Sequence, residues 1–390
     1  MYRIILVLIF FVFFESCSAQ QTQNTIQVGA ARLDIYLPLL QNKSVGLVVN
    51  NTSVVERKHV VDLLRENGVE VHKIFAPEHG FRGDVSAGGE IKDGVDAKTG
   101  LPVFSLYGKT HKPTPEQMNG LDMMVFDIQD VGCRFYTYIS TLHLVMEACA
   151  ENNVPLLVLD RPNPNGDYIA GPIRKEGFES FVGMDPIPIV HGCTVGELAQ
   201  MINGEGWLEN QVKCDLTVIP VKNYDHKLLY SLPVKPSPNL PNDLAIRLYP
   251  SLCFFEATSV SVGRGTDFPF QVLGGLKKEL GDFQFTPRSI PGVAVNPLNK
   301  DQLCYGVDLR ELNEVPRFTL KYFLDFYRQY ENENEFLTRE RWLNLLAGTD
   351  DLIQQIRAGK SEQEILESWE PGLKKYQSVR KKYLLYPDFE

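Results

Sequence analysis

The strongest constraint on the fold is the alternation of apolar runs with helical patterns in the first half of the chain. The apolar run at 44–50 is followed by Val60, Leu63 and Leu64 on one helical face and then by a strand-like run at 69–74. This order is a βαβ unit, whose crossover should be right-handed. Further strands are predicted at 102–106, 123–126, 155–159, 187–190 and 216–220, and helices at 115–118, 139–152 and 195–203. The pattern predicts an open α/β sheet.

Polar side chains collect where the second strand ends. Pro77 cannot continue a strand ladder, and Glu78, His79, Arg82 and Asp84 follow it within seven positions. In an open α/β sheet, ligands bind just beyond the carboxyl ends of the strands. Glu78 is therefore a candidate acid or base, although a charged and solvated loop is the favoured interpretation of such a cluster when it is seen alone.

Two later strands also end in carboxylates. Asp127 follows the strand at 123–126, and Asp160 follows the strand at 155–159. Three carboxylates that converge on one edge of a sheet indicate a site more strongly than one does. The same two strand ends carry further polar groups, namely Asp130, Arg134, Tyr136, Arg161 and Asn163.

Two other positions are candidates with an open interpretation. His191 belongs either to the site or to the ordering of its own loop. Arg264 stands between two glycines that allow a tight turn, and a guanidinium held there can bind a carboxylate or a phosphate. The alternative for Arg264 is a structural salt bridge to Glu256.

Several classes of function lack their usual signals. The chain has no G-x-G-x-x-G after its first strand, no P-loop and no G-x-S-x-G, so neither a nucleotide cofactor nor an ordinary serine hydrolase is indicated. The combination of His79, Asp84 and Asp127 has no spacing typical of a metal site, and no metal or cofactor is expected. A net charge of −10 without a basic stripe argues against nucleic acid as a partner.

The first 20 residues have the character of an export signal. An apolar run from Ile4 to Phe14 follows Arg3, and it is too short for a membrane span. Cleavage after Ala19 would release a soluble protein, whereas lipid attachment at Cys17 would anchor the protein to the membrane. The protein is expected to be exported, either periplasmic or lipid-anchored. The six other cysteines lack a C-x-x-C pair, and buried free thiols are the preferred interpretation, with disulfides an alternative.

A proline-rich stretch at 235–242 marks the clearest change in composition and is taken as a domain boundary. We expect a catalytic domain at 28–235 and a C-terminal α/β domain at 236–390. In the latter, the sequence predicts a strand at 304–309 and helices at 320–330, 352–358 and 361–369.

Four blocks of this sequence resemble the signature blocks of the exo-β-N-acetylmuramidases, which are exported bacterial peptidoglycan hexosaminidases. The blocks are 76–83, 126–132, 160–164 and 263–266, in that order. The resemblance implies a Rossmann-like, doubly wound N-terminal domain, a smaller α/β C-terminal domain and an active cleft between them. It also implies release of N-acetylmuramic acid from the non-reducing ends of peptidoglycan fragments, muropeptides or disaccharides, during cell wall recycling. The glutamate taken as catalytic in that family corresponds to Glu78.

We assign the remaining roles by inference. Glu78 is predicted to be the general acid, and Asp127 the carboxylate that orients the substrate amide, with Asp160 and Glu256 as alternatives. Substrate contacts are predicted for His79, Arg82, Asp130, Arg134, Tyr136, Asp160, Arg161, Asn163, His191, Glu256 and Arg264. An exported sugar-binding protein without catalysis, or an amide or ester hydrolase acting on cell-wall fragments, are the competing hypotheses.

Overall fold

The computed structural model describes residues 25–78, 80–82 and 93–390. The predicted export signal with Cys17, and the candidates His79 and Asp84, lie outside the described residues. Within the described part, none of the helices has the length and apolar character that a membrane span needs.

The elements alternate as the sequence pattern predicts. The strands are β1 (Val45–Val49), β2 (Val54–Val55), β3 (Lys58–His59), β4 (Val71–Ala76), β5 (Gly94–Val95), β6 (Pro102–Ser105), β7 (Met123–Asp127), β8 (Leu156–Leu159), β9 (Leu216–Ile219), β10 (Val272–Gly275), β11 (Phe283–Phe285) and β12 (Cys304–Asp308). The helices are α1 (Leu33–Leu40), α2 (Val60–Glu66), α3 (Pro115–Met118), α4 (Tyr138–Glu151), α5 (Val195–Glu205), α6 (Asp243–Leu252), α7 (Lys321–Tyr327), α8 (Glu333–Phe336), α9 (Glu340–Ala347), α10 (Asp351–Arg357) and α11 (Glu362–Arg380).

The large sheet has the order β5-β6-β4-β1-β7-β8-β9, and all its pairs are parallel except β5 with β6. After β1, the chain builds the sheet outward on one side through β4 and β6, and then crosses to β7, β8 and β9 on the other side. This arrangement confirms the predicted doubly wound α/β fold. The switch point of such a sheet lies at the carboxyl ends of β4, β1 and β7, where ligands bind in this architecture.

The C-terminal half is joined closely to this sheet. It contains a small antiparallel sheet of order β10-β12-β11 and the helices α7–α11. One hydrophobic cluster extends from Val48 in β1 to Tyr376 in α11, so the core passes through both halves. The Tyr376 hydroxyl donates to the carbonyl of His191 at 2.7 Å, and Arg380 donates to the carbonyl of Gly192 at 2.7 and 2.9 Å. Helix α11 therefore fixes a loop of the N-terminal half.

Three predictions of local structure can be compared with these elements. The strand expected at 187–190 is wrong, because Val190 makes only isolated bridges, to Cys133 and Ala170. The last predicted helix is longer than 361–369, since α11 continues to Arg380. The six cysteines of the described residues are all buried and free, as expected.

Candidate active site

Glu78 lies two residues beyond β4, in a turn that the sequence specifies directly. The amide of Gly80 donates to the carbonyl of Pro77 at 3.1 Å, and Gly80 has φ of +76°, a conformation that favours glycine. Tyr138 at the start of α4 donates from its hydroxyl to the backbone carbonyl of Glu78 at 3.3 Å. The turn thus presents a half-buried carboxylate at the carboxyl edge of the sheet.

Tyr107 approaches Glu78 from the neighbouring strand. Ala76 of β4 is in register with Ser105 of β6, so Glu78 and Tyr107 each stand two residues beyond paired strand ends. The Tyr107 hydroxyl makes a hydrogen bond with the Glu78 side chain. Burial, together with the charge and the hydrogen bond of Glu78, raises the pKa of Tyr107 to about 12. Tyr107 therefore stays protonated and can hold the Glu78 carboxylate in place.

The second charged group of the site is the Glu256–Arg264 pair from the C-terminal half. Arg264 lies between Gly263 and Gly265, which have φ of +79° and +83°. Its Nη2 and Nε donate to Oε1 of Glu256 at 2.6 and 3.2 Å. The predicted tight turn and the salt bridge are both present, and the pair remains partly open to solvent.

These groups stand where two cavities of about 700 and 610 Å³ adjoin. Both cavities are lined by Glu78, Glu256 and Arg264, which places two carboxylates and one guanidinium at the junction. We call the smaller one the aromatic cavity, after Tyr107, His111, Tyr136, Tyr138, Phe181 and Trp342. We call the larger one the open cavity; its lining includes Val260, Val295, Asn296, Leu298, Thr338 and Arg339.

Asp127, the predicted helper, is not part of this cleft. Its side chain is fully buried, and it lines neither cavity. Its two carboxylate oxygens accept from Nε and Nη2 of Arg161 at 2.6 and 2.9 Å. Arg161 donates a further bond to the carbonyl of Val54. These contacts occupy Asp127 and Arg161 with each other, and neither residue lines either cavity.

Asp160 is also committed to the fold. Its buried carboxylate accepts from the Thr194 hydroxyl at 2.7 Å, from the amide of Gly196 at 2.7 Å and from the hydroxyl of Tyr386 at 2.5 Å. Burial raises the pKa of Asp160 to about 6, although these hydrogen bonds act in the opposite direction. Asp160 thus ties the start of α5 to the C-terminal tail and is not placed to contact a sugar.

The predicted contacts at Asn163, His191 and Asp130 are likewise internal. Asn163 donates from its side chain to the carbonyl of Cys193 at 2.8 Å. His191 is fully buried, accepts from the amide of Cys193 at 3.2 Å and lies 3.5 Å from Asp130. Of the two interpretations left open for His191, the geometry favours the ordering of its loop.

Among the described residues, Tyr136 is the one remaining candidate that lines the cleft. Its ring faces the aromatic cavity, and its hydroxyl donates to the carbonyl of Pro236 at 2.7 Å. Arg134 is buried and donates to three backbone carbonyls, one of them that of Leu346 in the C-terminal half. Arg82 forms a bidentate pair with Asp96. The structure therefore gives Arg134 and Arg82 internal partners and places neither in the lining of the two cavities.

Sequence reasoning missed most of the aromatic wall. His111 packs against Phe181 with ring centroids 4.1 Å apart, and its Nδ1 has no hydrogen-bond partner among the described residues. Trp342 comes from α9, far along the chain. Tyr107 and His111 lie in the connection between β6 and α3, and connections beyond strand ends often carry functional residues.

Comparison with known proteins shows the family to which this chain belongs. The family model for the N-terminal part of the exo-β-N-acetylmuramidase NamZ matches residues 45–244, and the model for its C-terminal part matches residues 247–386. The chain belongs to the NamZ family. The peptidoglycan β-N-acetylmuramidase NamZ of Bacillus subtilis (strain 168) is 41% identical over 372 residues, which cover 90% of this chain and 89% of that protein.

Two solved structures, both of DUF1343 family proteins from Bacteroides fragilis NCTC 9343, share the fold. One is 46% identical with a TM-score of 0.87 and covers 93% of this chain and 99% of its own. The other is 30% identical with a TM-score of 0.81 and covers 93% of this chain and 100% of its own. The relationship thus extends over both halves and includes the residues on each side of the cleft.

The structural role of Asp127 leads to a direct prediction for Asp127→Asn. Breaking a buried ion pair leaves Arg161 uncompensated, so we expect the free energy of unfolding to fall by about 3–5 kcal/mol. The fraction that remains folded should keep kcat within a few-fold of the parent protein. Urea unfolding and kinetics below the unfolding transition measure the two quantities.

Asp215→Asn serves as the control, because Asp215 is exposed and immediately precedes β9. Its free energy of unfolding should stay within about 0.5 kcal/mol of the parent. A fully stable Asp127→Asn protein with a large loss of kcat would return Asp127 to the catalytic machinery.

Proposed function

We propose that the protein is an exported exo-β-N-acetylmuramidase that releases N-acetylmuramic acid from the non-reducing ends of peptidoglycan fragments. The observation that carries this proposal is the placement of Glu78 and Glu256 at the junction of the two cavities. Glycosidases use a pair of carboxylates that flank the scissile bond. In addition, the NamZ protein of Bacillus subtilis, which is 41% identical to this chain, is named as a peptidoglycan β-N-acetylmuramidase. Family membership and cleft geometry point to the same chemistry.

Glu78 acts as the general acid in this proposal. It lies at the carboxyl edge of the sheet, where Tyr107 and Tyr138 fix its side chain and its backbone. A general acid must donate its proton to the leaving oxygen, which requires a carboxyl group held at a fixed distance from the bond that breaks. The two tyrosines supply that positioning without adding a second charge.

Glu256 takes the second role, in place of Asp127. It is the other carboxylate among the described residues that lines both cavities, and the Arg264 guanidinium donates two hydrogen bonds to it. In a two-carboxylate mechanism such a group serves as base or nucleophile. In a substrate-assisted mechanism it orients the 2-acetamido group, whose own carbonyl attacks the anomeric carbon. Either role requires an ionised carboxylate opposite the acid.

Substituting Glu78 by glutamine tests the assignment of the acid. We expect kcat on a muramyl disaccharide to fall by roughly 10²–10⁴-fold, the usual contribution of general acid catalysis. A 4-nitrophenyl muramide should lose much less, because its leaving group departs without full protonation. Glu70→Gln, an exposed change just before β4, should leave both rates unchanged.

The outcome separates the competing functions. Equal losses on the two substrates would mean that Glu78 acts on a step other than protonation of the leaving group. Release of a peptide or an acyl group by the parent protein, without free N-acetylmuramic acid, would point to an amide or ester hydrolase. Binding without any product would point to a sugar-binding protein.

We also assign Arg264 a role in the selection of N-acetylmuramic acid over N-acetylglucosamine. N-acetylmuramic acid differs from N-acetylglucosamine by a lactyl ether that ends in a carboxylate, and a fixed cation is needed to hold that charge in a cleft. The bonds from Arg264 to Glu256 use Nε and Nη2, so Nη1 is the nitrogen that remains for a substrate. Because Arg264 also holds Glu256, its complete removal would disturb catalysis on every substrate.

Arg264→Lys is therefore the sharper test of selectivity, since it keeps the charge near Glu256 but removes the planar fork. In the parent protein, kcat/KM should be higher for 4-nitrophenyl N-acetylmuramide than for the corresponding glucosaminide. We expect the substitution to lower this preference by about 10–100-fold, because one charge-assisted hydrogen bond contributes roughly 1.5–3 kcal/mol. An equal fall on both substrates would confine Arg264 to the support of Glu256.

A further inference from the structure

The two cavities differ in how they meet the solvent. Among the described residues that line the aromatic cavity, Gly108 alone is exposed. The far wall of this cavity is built from half-buried rings, including His111, Phe181 and Trp342. The open cavity instead has five exposed lining residues: Val295, Asn296, Leu298, Thr338 and Arg339. The cleft is therefore more enclosed on one side of Glu78 than on the other.

Together with the proposed function, this difference in exposure indicates which end of the substrate lies in which cavity. An exo-acting site must hold a single terminal sugar on one side of the scissile bond and let the rest of the glycan leave on the other. The more enclosed aromatic cavity suits the terminal sugar. The open cavity suits the part of the fragment that becomes the leaving group.

The open cavity also carries a cation that the protein does not use. Within the described ranges, the Arg339 side chain makes no hydrogen bond and no ion pair. Its neighbour Glu340 does not neutralise it, because both oxygens of Glu340 accept from Arg357 at 3.0 and 2.6 Å. The other guanidinium of the cleft, Arg264, is paired with Glu256.

We propose that Arg339 binds a carboxylate on the leaving-group side of the substrate. Peptidoglycan fragments carry carboxylates there in two forms, the lactyl group of the next muramic acid and the carboxyl groups of an attached peptide. An exposed guanidinium can bind either one. The residue thus makes the enzyme favour fragments that carry a carboxylate on the leaving-group side over fragments that lack one.

The test compares four substrates with the full-length protein. The 4-nitrophenyl muramide and the muramyl disaccharide have no carboxylate on the leaving side. A tetrasaccharide has the lactyl carboxylate there, and its peptide-bearing form has peptide carboxyl groups instead, because the peptide is joined to that lactyl group by an amide bond. In Arg339→Ala, KM for the tetrasaccharide relative to the 4-nitrophenyl muramide should rise roughly 1.5- to fivefold, the range expected for an exposed charge pair. Arg339→Lys should recover part of the difference, and 0.5 M salt should reduce it.

Arg341→Ala is the matched control, since Arg341 is exposed, two positions away and outside both cavities. It should leave all four KM values unchanged. An effect confined to the peptide-bearing substrate would identify the peptide carboxylate as the ligand. Unchanged KM ratios in Arg339→Ala, or an equal loss on the 4-nitrophenyl muramide, would overturn the inference and leave the proposed muramidase activity standing. Failure of the parent protein to release N-acetylmuramic acid would instead refute the proposed function.

Discussion

The burial of charged groups at the carboxyl edge of the parallel sheet determines most of this structure. A charge removed from water must find a partner inside the protein, because an unpaired buried charge is strongly destabilising. Asp127 finds Arg161 on the next strand end, and Asp160 finds the start of α5 and the hydroxyl of Tyr386. These contacts fix the loops of the N-terminal half against the C-terminal tail, and the cleft depends on their position.

Among the described residues, the two carboxylates that line both cavities differ from these in being only half-buried. Glu78 emerges between two tyrosines, and Glu256 faces the same space from the other half, next to Arg264. The protein thus separates its carboxylates into two classes. The buried ones hold the scaffold rigid, and the partly exposed ones stand where two cavities meet and can reach a substrate.

Much of the fold follows from the sequence, because local patterns determine it. The predicted strands of the large sheet lie within one or two residues of β1, β4, β7, β8 and β9. Pro77 predicted the end of β4, and this placed Glu78 in the turn that follows the strand. The two neighbours of Arg264 also predicted its turn correctly. In each case the signal lies within a few residues of the feature.

The roles of Asp127 and Asp160 could not be predicted in the same way. Both stand at strand ends, as Glu78 does, and differ from it only in what covers them. Tyr386, which covers Asp160, is 226 positions away along the chain. The wall of the aromatic cavity also depends on contacts between distant parts of the chain. Trp342 and Phe181 come from segments whose packing no local pattern specifies. Distant contacts of this kind decide whether a strand-end carboxylate is structural or catalytic.

The central claim is that the scissile bond lies between Glu78 and Glu256, with the terminal sugar in the aromatic cavity. A crystal structure of the Glu78→Gln protein with an intact muramyl disaccharide measures this most directly. The account predicts the glycosidic oxygen within hydrogen-bond distance of the residue 78 side chain, the terminal muramic acid among Tyr107, His111 and Trp342, and the second sugar in the open cavity. A disaccharide bound in the reverse direction, or away from both glutamates, would contradict it.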